Sequence, residues 1–197
     1  MSKKRVVITG LGIVAPNGVG IDAFTNAIKN GISGIAHDPE LEQLQFSCQI
    51  AGKPTISEEL KNQYFTELEL RNFNSSGILY GVIAGIEAWK NAGLTIHNNE
   101  NPDWDSGTIF GSGTSGIEKF RESIYKIDGF QTRSLGSTVV AQTMNSGISA
   151  YLAGKLGLGN QVSTNSSACT TGTESILMGY DRIISRQANR MLVGSTS

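Results

Sequence analysis

The stretch Ser166-Ser167-Ala168-Cys169-Thr170-Thr171-Gly172 joins a predicted strand, residues 162–167, to a predicted amphipathic helix, residues 169–187. Small and hydroxylated residues surround the cysteine, and a glycine follows it closely. A thiol at such a strand-to-helix turn faces the positive end of the helix, which favours the reactive thiolate. These neighbours favour an exposed, activated nucleophile at Cys169 over the alternative of a small buried hydrophobic residue.

Outward from this stretch, predicted strands alternate with predicted helices. The other strands are residues 5–10 (RVVITG), 46–51, 106–111 and 191–194, and the other helices are residues 21–31, 57–64, 73–92, 117–127 and 137–156. Within residues 73–92, the large apolar side chains recur at spacings of three and four, which predicts one face turned to the core. The alternation predicts an α/β fold with a mixed sheet that helices cover on both faces.

Composition narrows the class of protein and its partners. The chain has 197 residues, of which 39% are hydrophobic and 17% charged, and its net charge is −1, so a nucleic-acid partner is not expected. The two cysteines, Cys48 and Cys169, show no metal-binding or disulfide spacing. No run is apolar enough to span a membrane, and the basic start lacks a signal cleavage site, so a cytoplasmic protein without metal or cofactor is expected.

Two glycine-rich segments each allow a second interpretation. Residues 10–15 (GLGIVA) match the loose dinucleotide pattern G-x-G-x-x-A, but Pro16-Asn17-Gly18 breaks the chain where the nucleotide-binding helix should begin. We therefore interpret them as a tight turn that closes a strand. Residues 111–116 (GSGTSG) have the glycines of an anion-binding loop but lack its Lys-Ser/Thr ending. They predict a backbone that passes close to another segment or a pocket.

The two histidines do not complete a catalytic site around the cysteine. A cysteine nucleophile usually works with a histidine base or with a histidine in its oxyanion site. His37 follows an apolar turn and His97 lies in a very polar loop, so both are predicted to be solvated. The machinery around Cys169 is therefore expected to be incomplete within this chain.

Several motifs together resemble a known family. Residues 5–12 with the turn at 16–18, residues 80–94, residues 111–113 and residues 167–172 occur in the same order as in the N-terminal half of the β-ketoacyl-[acyl-carrier-protein] synthases. The resemblance implies the thiolase-like fold, a layered α-β-α arrangement with a mixed five-stranded sheet. Residues 1–197 would then form the N-terminal domain, and the C-terminal half would be absent.

The resemblance also implies a reaction and its residues. Cys169 would take an acyl group from a carrier-protein thioester, and malonyl-carrier protein would then lose CO₂ and attack it, in fatty acid or polyketide-type biosynthesis. Gly113 and Thr114 would lie beside the acyl pocket. Arg71 and Arg133 would help to dock the acidic acyl carrier protein. A homodimer, or a heterodimer with another ketosynthase-type chain, is expected.

Two departures from the family pattern leave other functions open. The family's two catalytic histidines and its lysine come from the C-terminal half, and His37 and His97 match neither histidine. The chain alone is therefore not expected to complete the condensation. Asn165 makes the strand before the nucleophile more polar than in relatives. The alternatives are a relative that uses coenzyme A thioesters, a non-catalytic partner subunit of the chain-length-factor type, and an inactive truncated fragment; the retained Cys169 favours the catalyst.

Overall fold

A computed structural model describes residues 5–196. The α-helices of this range are α1 Ile21–Lys29, α2 Pro39–Gln43, α3 Glu58–Tyr64, α4 Glu67–Asn72, α5 Ser76–Asn91, α6 Ile117–Asp128, α7 Val139–Thr143, α8 Gly147–Leu156 and α9 Thr171–Ile184. The strands are β1 Val14–Ala15, β2 Gly18–Val19, β3 Ala36–His37, β4 Ile50–Ala51, β5 Ser106–Ser112, β6 Val162–Ser163 and β7 Arg190–Thr196. Two 3₁₀ turns span Thr132–Ser134 and Ala168–Thr170. None of the helices in this range is long and apolar enough to cross a membrane.

The main sheet has the order β6-β5-β7, and both of its strand pairs are parallel. Strand β5 is central and buried at every position, and it pairs with β7 from Ser106↔Arg190 to Ser112↔Thr196. Helix α9 covers one face, where Gly179 lies against Val193, and α5 covers the other, where Gly81 lies against Thr196. Strand side chains alternate between faces, so positions 193 and 196 of β7 point to opposite sides of the sheet. The predicted layered α-β-α arrangement is therefore confirmed in the described residues.

Helix α5 supplies the largest share of the hydrophobic core. The predicted stripe of Ile78, Val82, Ile86 and Trp89 is buried, as the spacing requires. It packs against buried leucines of α8 and against the sheet in a single hydrophobic cluster. Each fully buried side chain of this size stabilises the fold by about 1.5–3 kcal/mol relative to an exposed one. The long helix therefore fixes where the sheet lies.

The predicted first strand is wrong in the structure. Residues 5–13 form no strand, so this segment does not pair with an edge of the main sheet. A cavity of about 380 Å³ lies instead between residues 5–10 and β7. In place of a neighbouring strand, side chains of α5 accept hydrogen bonds from this segment. The amide of Leu11 donates to Asn91 Oδ1 (3.0 Å), and the amide of Ile13 donates to Glu87 Oε2 (2.8 Å). Within the described residues, the main sheet therefore has three parallel strands. The prediction of a mixed five-stranded sheet is wrong for this range.

Gly10 and Gly12 have a different role from the predicted turn. A β-carbon on Gly12 would overlap the carbonyl oxygen of Ala84, and one on Gly10 would overlap that of Ala88. The two carbonyls belong to successive turns of α5, so the glycines let the segment lie directly on the helix backbone. The G-x-G spacing therefore reflects close packing of two backbones, and the turn predicted at residues 16–18 follows it, between β1 and β2.

Two further predicted elements are shorter than expected. The predicted helix over residues 137–156 is broken into α7 and α8, with Met144, Asn145 and Ser146 between them. The predicted strand over residues 162–167 ends after Ser163, and regular helix begins at Thr171, after the 3₁₀ turn that holds Cys169. In both places the backbone leaves regular structure where polar side chains bond to neighbouring loops.

A partly buried ion pair connects α4 to α8. Lys155 Nζ donates to Glu69 Oε2 (2.8 Å) and to the carbonyl oxygen of Tyr64 (2.9 Å). Glu69 also closes a capping box with Thr66, whose amide donates to Glu69 Oε2 at 2.7 Å. Burial raises the pKa of Glu69, but the hydrogen bonds from Lys155 and Thr66 outweigh burial and lower that pKa to about 2.

We expect Glu69→Gln to lower the free energy of unfolding by about 1–2 kcal/mol at pH 7, allowing for solvent screening of a partly exposed pair. The unfolded carboxyl, with a pKa near 4.5, binds its proton before the folded one does, so this stabilisation disappears as the pH falls from about 4.5 towards 2. Urea unfolding of both proteins between pH 7 and pH 3 measures the effect. Glu67→Gln, on the exposed side of the same helix, is the control. A difference that stays constant with pH contradicts the assignment.

The close approach at Gly12 makes a second prediction about stability. Gly12→Ala should lower the free energy of unfolding by about 1–3 kcal/mol, because the added methyl group pushes the segment off α5. Gly154→Ala should instead raise it by about 0.5–1 kcal/mol, because Gly154 lies inside α8 with open space around its α-carbon. Thermal or urea unfolding compares the two. Equal effects of the two substitutions would rule out the close contact.

Candidate active site

Cys169 lies beyond the carboxyl ends of the parallel strands, where ligand and catalytic sites of open α/β sheets usually lie. It occupies the 3₁₀ turn Ala168–Thr170, which leads directly into α9. Its thiol is free and exposed, as the sequence predicted for a nucleophile. Cys48 is also free and exposed, but it lies in the loop before β4, where its thiol is 3.9 Å from the carbonyl oxygen of Ile50. The chain thus has two accessible thiols in different settings.

The residue before the nucleophile is held in a strained backbone conformation. Ala168 has φ = 51°, in the left-handed region that side chains other than glycine rarely occupy. Such a conformation costs on the order of 1 kcal/mol or more, and it persists only where surrounding contacts impose it. It turns the chain sharply between β6 and α9. We refer to residues 166–171 as the elbow.

Hydroxyl groups of the elbow impose this conformation. The amide of Ser167 donates to Thr171 Oγ1 at 3.0 Å, and the same hydroxyl donates to the carbonyl oxygen of Ala168 at 2.7 Å. Thr170 Oγ1 donates to the carbonyl oxygen of Ser167 at 2.8 Å. The backbone groups on either side of the strained φ are therefore fixed by Thr170 and by Thr171, the first residue of α9. This explains why the elbow is rich in serine and threonine.

Asn165 and Glu174 support the elbow from the side of β5 and α9. Asn165 Nδ2 donates to the carbonyl oxygen of Thr171 (2.9 Å), and its Oδ1 accepts from Ser175 Oγ (2.8 Å). Glu174 Oε2 accepts from Ser167 Oγ (2.5 Å) and from Asn165 Nδ2 (3.3 Å). Hydrogen bonds from Ser167 and then from Asn165 lower the pKa of the Glu174 carboxyl. The sequence interpretation missed Glu174, because nothing in its spacing distinguishes it from an ordinary exposed residue of a first helical turn.

The glycine loop after β5 lies against the elbow, as its sequence predicted. A β-carbon on Gly113 would lie 3.9 Å from the α-carbon of Ala168. The carbonyl oxygen of Gly113 accepts hydrogen bonds from Ser166 Oγ and Asn145 Nδ2, each at 3.3 Å. Asn145 thereby connects the break between α7 and α8 to both loops. Thr114 is exposed on the same loop, and its carbonyl oxygen accepts from Ser112 Oγ at 2.6 Å.

The remaining residues singled out in the sequence belong to other segments than the elbow. His37 is in β3, with Nε2 3.4 Å from a carboxylate oxygen of Glu42, and His97 is in the exposed loop before β5. Arg71 is exposed on α4, and Arg133 is exposed on the 3₁₀ turn Thr132–Ser134. A hydrogen bond joins the parts of the chain next to these arginines. Thr138 Oγ1, after the turn that carries Arg133, donates to the carbonyl oxygen of Asn72, beside Arg71, at 2.6 Å.

Two cavities of the described residues do not contain the thiol. The first, described above, separates residues 5–10 from β7, and the second, of about 420 Å³, lies at the carboxyl end of β7 beside Tyr80 and Thr196. Neither is lined by Cys169, Gly113 or Thr114. Across residues 5–196, no three His, Cys, Asp or Glu side chains are grouped so that they could hold a metal ion. The elbow is thus an open surface site whose chemistry centres on the thiol.

The sequence and the fold both match proteins of one family. The family described as "Beta-ketoacyl synthase, N-terminal domain" matches residues 3–197. The 3-oxoacyl-[acyl-carrier-protein] synthase 2 of Vibrio cholerae serotype O1 is 30% identical over 194 residues, which cover 98% of this chain and 46% of that protein. The chain therefore spans about half the length of the curated relatives that it matches.

Solved structures support the fold. The ishigamide ketosynthase/chain length factor superposes with a TM-score of 0.83 at 21% identity, over 100% of this chain and 48% of that one. A type II PKS ketosynthase in complex with its acyl-carrier protein (AntDE:AntF) superposes with a TM-score of 0.78 at 24% identity, over 99% of this chain and 46% of that one. These likenesses confirm the predicted thiolase-like fold. With the family match over nearly its whole length, this chain belongs to the β-ketoacyl synthase family as an N-terminal domain.

Proposed function

We propose that this chain carries the nucleophile of a carrier-protein-dependent β-ketoacyl synthase. The observation that supports this proposal best is the exposed thiol of Cys169, which follows a strained residue and directly precedes α9. In a member of this family, that arrangement suits a cysteine that must meet a thioester delivered by another protein. The relatives named 3-oxoacyl-[acyl-carrier-protein] synthase support the same reaction.

The first step is the transfer of an acyl group to the thiol. The Cys169 thiolate attacks the carbonyl carbon of the acyl thioester, and the resulting oxyanion is stabilised by amide donors, one of them the amide of Cys169. The bond from the carbonyl carbon to the carrier's sulfur then breaks, and the carrier thiolate takes up the proton that the cysteine gave up. The products are an acyl-cysteine and a free carrier thiol.

The second step needs groups from outside this chain. Malonyl-carrier protein loses CO₂, and the carbanion that forms attacks the acyl-cysteine to give a 3-oxoacyl product and regenerate the thiol. The resemblance to the family assigns this step to two histidines and a lysine of a C-terminal half. His37 and His97 lie apart from the elbow, so neither substitutes for them. We therefore propose that residues 1–197 act as an N-terminal domain that is paired with a second half or a second chain.

A non-catalytic partner subunit is the competing function, and one structural relative is named for both kinds of subunit. The structure with a TM-score of 0.83 is named as a ketosynthase/chain length factor, and such partners shape the pocket without performing the chemistry. The retained, exposed Cys169 favours the catalyst, because such partners typically have another residue in place of the nucleophile. The reactivity of the thiol separates the two functions.

We expect Cys169 to react much faster than Cys48 with a limiting amount of a thiol-directed acylating reagent at pH 7. Both thiols are exposed, so a difference in rate reports activation by the elbow and not access. Intact-mass and peptide mapping after short reactions measure the modification at each site, with Cys169→Ala and Cys48→Ala as matched controls. Slow and equal modification of both cysteines would contradict a catalytic elbow and favour the non-catalytic subunit or an inactive fragment.

The arginines proposed to dock the carrier protein give a separate prediction. Arg71→Glu and Arg133→Glu should weaken binding of an acyl carrier protein and reduce the salt dependence of that binding, because charge steers such encounters. Calorimetric titration at two ionic strengths measures both effects. Lys29→Glu, which makes the same charge change on α1, is the control. Equal weakening by all three substitutions would show a general effect of net charge and no specific docking surface.

A further inference from the structure

We propose that Glu174 is a positioning residue that fixes the orientation of the elbow for acyl transfer to Cys169. This inference rests on the proposed function, and it concerns a residue that touches neither the thiol nor the substrate. Glu174 lies in the first turn of α9, and its partners in residues 5–196 both belong to the chain that leads into the elbow. It therefore ties the start of the helix back to the residues that precede the nucleophile.

The hydrogen bond to Ser167 is the first element of this role. Ser167 Oγ donates to Glu174 Oε2 at 2.5 Å, while the Ser167 amide donates to Thr171 Oγ1 at 3.0 Å. The two bonds hold the side chain and the backbone of the same residue, directly before the strained Ala168. A bond to a carboxylate is stronger than one between neutral groups, so Glu174 supplies the firmer of the two restraints.

Asn165 makes the restraint part of a larger cluster. Its amide group bonds to Glu174, to the carbonyl oxygen of Thr171 and to the hydroxyl of Ser175. Asn165 fits beside β5 because position 111 is a glycine. A β-carbon on Gly111 would overlap Thr171 and the amide oxygen of Asn165. The cluster thus joins the central strand, the elbow and α9. Rotation of Ser167 would break its bonds to Thr171 and Glu174.

A carboxylate at this position does not activate the thiol by its charge. A nearby negative charge by itself opposes the formation of a second one, so Glu174 gives no electrostatic help to a thiolate. Acyl transfer requires the sulfur and the amide donors to be aimed at the same carbonyl group. Alkylation by a small haloacetamide requires only the sulfur. Loss of orientation should therefore slow acyl transfer selectively.

The test compares two reactions at the same thiol. Acylation of Cys169 by the octanoyl thioester of N-acetylcysteamine and alkylation by iodoacetamide are followed by intact mass in the Cys48→Ala background. We expect Glu174→Ala to slow acylation about tenfold, as loss of a hydrogen bond to a charged group predicts, and to leave alkylation close to that of the parent. Glu174→Gln keeps an acceptor oxygen and should restore most of the acylation rate. Asp181→Ala removes an exposed carboxylate later in α9 and should change neither rate.

Further variants keep the test decisive. Ser167→Ala should reproduce the effect of Glu174→Ala, and the double variant should be no slower than either single one, because all three remove the same bond. Circular dichroism confirms that each variant is folded. Equal slowing of both reactions, no slowing, or faster acylation by Glu174→Ala would overturn the positioning role. A parent protein that reacts with iodoacetamide but with no thioester would overturn the proposed function itself, and the positioning role with it.

Discussion

The hydrogen bond from the Ser167 amide to Thr171 Oγ1 is the interaction on which the candidate site depends. It spans Ala168, the residue of the elbow with a left-handed backbone, and joins the end of a short strand to the beginning of α9. Without it, the left-handed conformation of Ala168 loses one of the hydrogen bonds that compensate its cost, which favours an ordinary extended or helical connection. Cys169 would then lose its fixed place at the start of the helix.

The rest of the fold places this elbow rather than forming it. Strand β5 is buried along its whole length and carries the glycine loop to the elbow, while α5 fixes the sheet through its apolar stripe. The parallel order β6-β5-β7 brings the ends of the strands to one edge. At that edge Gly113 lies against Ala168, and Asn145 bonds to both loops. Hydrogen bonds between loops thus determine the geometry of the site, and the strands and helices bring those loops together.

The sequence predicted the features that depend on local pattern. The spacing of Ile78, Val82 and Ile86 was sufficient for the long helix, and the residues around Cys169 were sufficient for an exposed thiol before α9. Features that depend on distant partners were not predictable in this way. Residues 5–10 have the composition of a strand but pair with none, and the amides that follow them, of Leu11 and Ile13, bind to side chains of α5. The role of Glu174 was missed because it requires Ser167 and Asn165 to be adjacent in space.

The most direct test of this account is the rate of hydrogen exchange at the Ser167 amide in the isolated 197-residue chain, measured by NMR. The account holds that the chain's own contacts form the elbow, so this amide should be strongly protected, and Thr171→Val should remove the protection while α5 remains protected. Exchange of the Ser167 amide at the rate of an unstructured peptide, in a chain whose α5 amides are protected, would show that the elbow is not formed by these residues alone and would contradict the account.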